Sequence, residues 1–385
     1  MANQSIGVPR IYIDYTQLAK AKGYWKNLND YDINNTKGVY ELDALGDEIY
    51  GDKNMNVWNF DYANPTQYTH LGGQNSFNFR LGFWNPQDDS EYSFDWAKLM
   101  STTRWAGIIN HDLNTSFGLG GNSYIGGQFW NGDLSNELYI DLNKTDSING
   151  ASSVGTAYGI ANNGYSIITG DLLNELYDSS NNPQSDRYST FILTVVLGET
   201  GESYPTTDFN MGSIGFGNYI DLLAPDLNVK KSITYEGVKR QRSLSGADYT
   251  NINYLGAPDW LNGQSWTLNT ESGSKARVGK NGRRVWDVQF SYISNDDLFY
   301  DTSQSNIAGT IGFNTNGIEN SFTAGSEIQL IYDLTLGGAL PFIWTPNKDE
   351  TNPEFCVARF KENSLVAEQV AYQTWNISMS VEECW

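Results

Sequence analysis

RRVWDVQFSYISNDDLF, residues 283–299, is the stretch that decides the fold class. Trp286, Val288, Phe290 and Tyr292 occupy every second position, with Asp287, Gln289 and Ser291 between them. Side chains alternate across a pleated strand, so this spacing gives one apolar and one polar face. Large aromatics suit such a half-buried surface. Asn295-Asp296-Asp297 then ends the run with residues that favour turns. None of these groups is reactive, so the stretch reads as a core strand.

A second strand of the same type closes the chain. Trp375, Ile377, Met379 and Val381 alternate with Asn376, Ser378, Ser380 and Glu382. The two apolar faces are expected to line one C-terminal core. Upstream, Met211–Tyr235 (MGSIGFGNYIDLLAPDLNVKKSITY) is a set of apolar runs punctuated by Gly212, Gly215, Gly217 and Pro225.

Three groups of residues carry a family resemblance. GSIGFGNYIDLLAPDLNVKKSITYEGVK (212–239), GAPDW (256–260) and GRRVWDVQFSYIS (282–294) resemble structural proteins encoded by tailed, especially marine, bacteriophages. LPFIWTPNKDETNPEFCVARF (340–360) and QVAYQTWNISMSVEECW (369–385) are similar to the closing segment of the same proteins. WAGIINHDL, Trp105–Leu113, is similar to a strand-and-turn of their jelly-roll modules, with Asp112 in place of an Asn. The resemblance lies in core and turn residues, so it implies a fold and membership of a virion rather than a chemical site.

Composition sets the outer bounds. A chain of 385 residues is long enough for two or three domains. Aromatics reach 14% and glycines number 38, while only 18% of residues are charged. That combination describes a β-rich, turn-rich chain and excludes disorder. The net charge of −21, from 45 acidic and 24 basic residues, opposes binding to nucleic acid or to an anionic membrane. No apolar run approaches the ~18 residues of a membrane span, so no membrane insertion is expected. MANQSIGVPR lacks the basic-then-apolar pattern of a signal peptide, which points to synthesis in a host cytoplasm and release within a virion. Cys356 and Cys384 are too few for a disulfide framework and read as packed thiols, although pairing between their two strands is geometrically open.

Taken in order, the chain is expected to be all-β. Residues 1–75 read as a loop-rich segment packing on other domains, with Thr16 capping a short helix through Lys22. Residues 76–225 supply the strands of a jelly-roll-like β-sandwich, including Ser76–Leu81, Trp105–Leu113, Leu138–Leu142 and the apolar run Arg187–Leu197. Asp171–Tyr177 reads as a short helix, and Asn143–Ser166 as a polar excursion. Residues 226–385 form a C-terminal β domain for subunit contacts, with strands at Glu327–Leu334, Phe342–Trp344, Phe355–Phe360 and Trp375–Val381.

Chemistry is sparse. His70 and His111 have no zinc-like spacing to a second ligand, and no nucleophile elbow, HExxH or phosphate loop appears. Asp88-Asp89 and Asp296-Asp297 are paired carboxylates of the kind any acidic chain contains, and sequence cannot set their separation in space. Asp30–Glu41 matches a calcium loop at ligand positions 1, 3, 5 and 12. Asn35 stands at its glycine position and no amphipathic helix flanks it, so an ordinary solvated turn is the preferred reading. Lys230, Lys231, Lys239, Arg240, Arg242, Lys275, Arg277, Lys280, Arg283 and Arg284 form a basic concentration on an acidic chain. It is read either as solvated strand faces or as a socket for an acidic surface on a neighbouring subunit. Trp58-Asn59 and Trp130-Asn131 are aromatic–amide pairs that would suit a sugar ring, against a packing role for most tryptophans.

The expectation is a non-enzymatic tail-tip or baseplate component, assembling with copies of itself and other virion proteins. It has no catalytic, cofactor or metal residues. The alternative is a carbohydrate-binding adhesin or receptor-binding protein that meets host glycans.

Overall fold

A computed structural model describes residues 7–22, 25–26, 38–42, 49–51, 66–73, 75–84, 103–119, 123–130, 139–141, 158–159, 165–169, 190–198, 202–234, 238–252, 283–298, 327–350 and 355–384. Along the chain run β1 (Arg10–Tyr12), α1 (Tyr15–Ala21), β2 (Trp25–Lys26), β3 (Gly38–Leu42), β4 (Ile49–Gly51), β5 (Thr66–His70) and β6 (Ser76–Trp84). β7 (Trp105–His111), α2 (Leu113–Phe117), β8 (Tyr124–Trp130), β9 (Tyr139–Asp141), β10 (Tyr158–Gly159), β11 (Tyr165–Thr169), β12 (Thr190–Val196) and β13 (Thr207–Gly217) follow. Next come β14 (Tyr219–Asp221), β15 (Lys230–Thr234), β16 (Val238–Arg242), β17 (Asp248–Ile252), β18 (Arg283–Ser294) and α3 (Asn295–Leu298). The last elements are α4 (Glu327–Leu334), β19 (Phe342–Thr345), β20 (Cys356–Phe360), β21 (Ala367–Ala371) and β22 (Thr374–Glu383). The fold is all-β, and the longest described helix has 8 residues.

The chain divides into two compact units. One comprises Met1–Ile11, Asp221–Asn295 and Thr335–Trp385; the other comprises Tyr12–Ile220 and Asp296–Leu334. This division differs from the expected succession 1–75, 76–225 and 226–385. The described strands within residues 1–75 belong to sheets of the domain rather than covering it, because β3 pairs with β6 and β5 pairs with β13. Backbone groups of these short strands find their partners in the sheets, and Val39, Tyr40, Thr66, Tyr68 and Thr69 are residues that favour a strand.

The unit from Tyr12 is a β-sandwich. One sheet has the order β10-β8-β12-β6-β3-β2 with β9 on β8, and the other β11-β7-β13-β5-β4. From β5 onward the chain crosses between sheets at nearly every connection, remaining in one sheet only from β8 to β10. Rings from the two inner faces meet: Phe191 stacks on Phe216 with centroids 4.3 Å apart, and Phe77 lies 5.1 Å from Phe209. Across β6 and β12, Leu81, Phe79 and Phe77 stand opposite Phe191, Leu193 and Val195, and all six are fully buried. Each such side chain contributes ~1.5–3 kcal/mol by leaving water. β7 is buried along its whole length, which suits a run as apolar as WAGII.

The helix after β1 begins differently from its sequence reading. Asp14, not Thr16, is the N-cap, and its Oδ1 accepts the Thr16 N–H at 2.9 Å. Trp105 of β7 donates its indole N–H to the Ile13 carbonyl at 3.0 Å. A side chain at Gly217 would run into that same Ile13 carbonyl oxygen, so only glycine lets these backbones approach.

The other unit is built on an eight-stranded sheet, β14-β1-β19-β20-β22-β18-β15 with β21 on β22. Its centre is the pair read first from sequence. Trp286, Val288 and Phe290 of β18 stand opposite Val381, Met379 and Ile377 of β22, and all six are buried. The pattern breaks at Tyr292, which is 81% exposed with φ 61°, while Ile293 turns inward opposite Trp375. A β-bulge adds one residue to β18 here, and one extra residue reverses which side chains face the core.

Glu327–Leu334 is a helix rather than the expected strand. Ile328, Ile331 and Leu334 are buried at three-residue spacing while Asp333 is exposed. EIQLIYDL fits both periods locally, and burial of one helical face decides between them. β11 (YSIIT) also lies at the end of a stretch that composition alone marks as a loop. Cys356, buried, and Cys384, half-buried, are thiols and do not form a disulfide.

Candidate functional site

The imidazoles sit in cores. His70 ends β5 against the rings of Phe117 (5.5 Å) and Phe77 (6.0 Å), and burial lowers its pKa. Its Nδ1 accepts the Gly72 N–H at 3.3 Å. His111 ends β7, its Nε2 2.7 Å from Ser166 Oγ on β11, and burial pushes its pKa down to about 4. Asp112 beside it is a strand lock. Its carboxylate accepts the Asn210 N–H at 2.7 Å and the Asn210 amide at 2.6 Å, and also Ser116 Oγ at 3.1 Å. It therefore fixes the start of α2 to β13, and the Asp at this position has a structural task.

The basic concentration separates into buried, paired and open members. Arg284 is 3% exposed and grips Glu383 through two bonds, Nη2 to Oε1 at 2.8 Å and Nε to Oε2 at 2.9 Å. The Arg284 backbone N–H also donates to Glu383 Oε2 at 3.1 Å. Lys231 lies over the Trp286 ring at 5.5 Å, and exposed Lys230 approaches Asp287 at 3.9 Å. These groups serve the sheet. Lys275, Arg277 and Lys280 lie outside the described residues.

Arg240 and Arg242 are open. They belong to β16, which among the described residues pairs only with β17, in a two-stranded sheet. Residues 240–250 are exposed throughout except for half-buried Ser243. Arg242 reaches Asp248 at 3.6 Å with both side chains about three-quarters exposed, a pair worth little in water. The turn is closed by Gly246 at φ 87° and by Ser243 Oγ, which accepts the Ala247 N–H at 3.0 Å. Leu244 at the tip is fully exposed, and Tyr249 is 65% exposed.

A second open feature lies at β21. This strand pairs with β22 and with no further strand among the described residues. All of its residues but Ala367 are exposed, including Glu368 and Val370, and Val366 just ahead is exposed too. A bulge falls between Gln369 and Ala371, and Tyr372 at the following turn is 86% exposed. That turn is tied to the start of α3 by the Asn295 N–H donating to the Gln373 carbonyl at 3.0 Å, and the N–H of exposed Tyr292 donates to Asn376 Oδ1 at 3.1 Å. Unpaired edge groups beside exposed apolar side chains form a surface suited to strand addition.

The remaining sequence candidates do not converge with these. Asp30–Lys37 of the calcium-like loop, Asp88-Asp89, Trp58-Asn59 and Asn131 lie outside the described residues. Gly38–Glu41 belong to β3, and Trp130 ends β8. Asp296 and Asp297 lie in the short helix α3. Among the described residues no group of three or more His, Cys, Asp or Glu could hold a metal ion, and no helix is long and apolar enough to cross a membrane. Sequence reasoning missed the open edge of β21, since AEQVA is short and its exposure depends on which strands flank β22. Compared with known proteins, the chain matches no family model, no curated protein and no solved structure.

Proposed function

We propose that this chain is a non-enzymatic structural component of a tailed-phage virion, in the tail tip or baseplate, assembling with copies of itself and with other virion proteins. One observation carries the reading. Most of the separated stretches that resemble phage structural proteins, which supply β14, β15, β18, β19, β20, β22 and part of β21, come together in one sheet, while other described parts enter β7, β13 and the start of β16. Residues scattered over the last 170 or so positions thus build a single wall, as a shared module would require.

The sandwich is read as a jelly roll within the same proposal. Taking β5, β6, β7, β8, β10, β11, β12 and β13 as eight successive strands, one sheet holds the first, eighth, third and sixth. The other holds the second, seventh, fourth and fifth. This order supports two interlocked Greek keys, an architecture common in virion proteins. The pairing of β5 with β13 also brings the first and last of these strands together, which suits a unit inserted within another chain segment.

Quantitative mass spectrometry of purified phage particles tests the proposal. The expected result is this chain at a fixed, multiple copy number per particle. Its absence from particles in cells that synthesise it would refute the reading.

A further inference from the structure

We propose that the β16–β17 hairpin of one copy of this chain docks by strand addition on the open edge of β21 in a second copy. The inference rests on the reading of the chain as a self-assembling virion component, and it names the two surfaces that meet. A two-stranded hairpin is marginal in water unless a further strand or a packed face supports it. Here the described hairpin residues bury almost nothing, and among the described residues β16 and β17 pair only with each other. β21 presents the complementary defect, a five-residue strand whose outer edge pairs with no described strand. Five-residue β16 and five-residue β17 match its length.

Charge selects the occupant. The hairpin exposes Arg240, and Arg242 beside Asp248, whereas the whole chain carries −21. The β21 edge and its approach expose Glu362 and Glu368 against one cation, Lys361, with Val366 and Val370 beside them. Arginine stems can cover the valines while their guanidinium groups reach the carboxylates. Leu244, Tyr249 and Tyr372 add apolar area of the kind that anchors interfaces. Hairpin and edge are different surfaces, so repeating the contact head-to-tail builds a ring or a filament.

The test uses the full chain in sedimentation equilibrium at low salt. Wild-type protein is expected to self-associate, and added salt should weaken it. Arg240→Glu with Arg242→Glu should weaken association by about tenfold or more, because like charges then face each other. Glu362→Lys with Glu368→Lys should do the same. All four changes together should restore association to within about threefold of wild type, since the charges are exchanged. These residues are exposed, so melting of each variant should match wild type and exclude misfolding as the cause. A monomeric wild type, association untouched by either reversal, or no rescue in the fourfold variant would overturn the inference. The particle measurement above stands apart from all three results, so the virion reading can survive the loss of this interface.

Discussion

Two buried titratable groups of the sandwich unit oppose each other, and removing either should expose the other. Asp14 is 2% exposed, and desolvation raises its pKa from 3.8 to about 7 despite bonds from the Thr16 N–H and hydroxyl. Its folded state holds a proton that the unfolded chain has released. The stability this gives is complete below pH 3.8 and is lost as pH rises to about 7, a change of ~4 kcal/mol at 1.36 kcal/mol per unit. His111 behaves oppositely, because burial lowers its pKa from 6.5 to about 4. Its contribution is complete above pH 6.5 and is lost as pH falls to about 4, a change of ~3 kcal/mol. Between those limits the two slopes cancel. Denaturant unfolding of the sandwich unit, followed from pH 4 to 7, should show this by difference. Asp14→Asn, which keeps a capping oxygen, should gain ~3–4 kcal/mol relative to wild type across that range. His111→Gln should lose ~3 kcal/mol relative to wild type over the same range, and the double variant should again run parallel to wild type. A difference between Asp14→Asn and wild type that stays constant with pH would refute the assignment of a buried, protonated Asp14.

Two further outcomes test the other unit. Arg284→Ala or Glu383→Ala should each cost ~3–5 kcal/mol by stranding a buried charge, whereas Arg284→Met with Glu383→Leu should lie close to wild type in a thermal melt. Deleting Tyr372–Trp385 removes β22, the partner of β18, β20 and β21, so the unit from Asp221 should lose its unfolding transition while that of the sandwich persists; a truncated chain that melts in both transitions like the full one would show the core assignment to be wrong.

Some of this protein was legible residue by residue. The alternation in β18 and β22 identified both strands and the face each buries, because a pleated strand has a fixed period of two. The aromatic and glycine-rich composition, with few charged residues, indicated an all-β chain. The basic concentration was visible too, but its members were not separable by sequence. Arg284 and Arg240 look alike in the linear text. One is buried against a carboxylate 99 positions away and the other stands on an exposed hairpin.

What the tertiary structure alone decided is where local signals are weak or double. EIQLIYDL suits a strand or a helix, and burial of Ile328, Ile331 and Leu334 selects the helix. Tyr292 fits the apolar face of β18 until one bulged residue turns it outward. The short strands β3 and β5 take their places in the sandwich through pairing with β6 and β13. The openness of β21 depends on the order of strands around β22. In each case the deciding energy comes from contacts between residues far apart in the chain, and a linear pattern records only the local half of that balance.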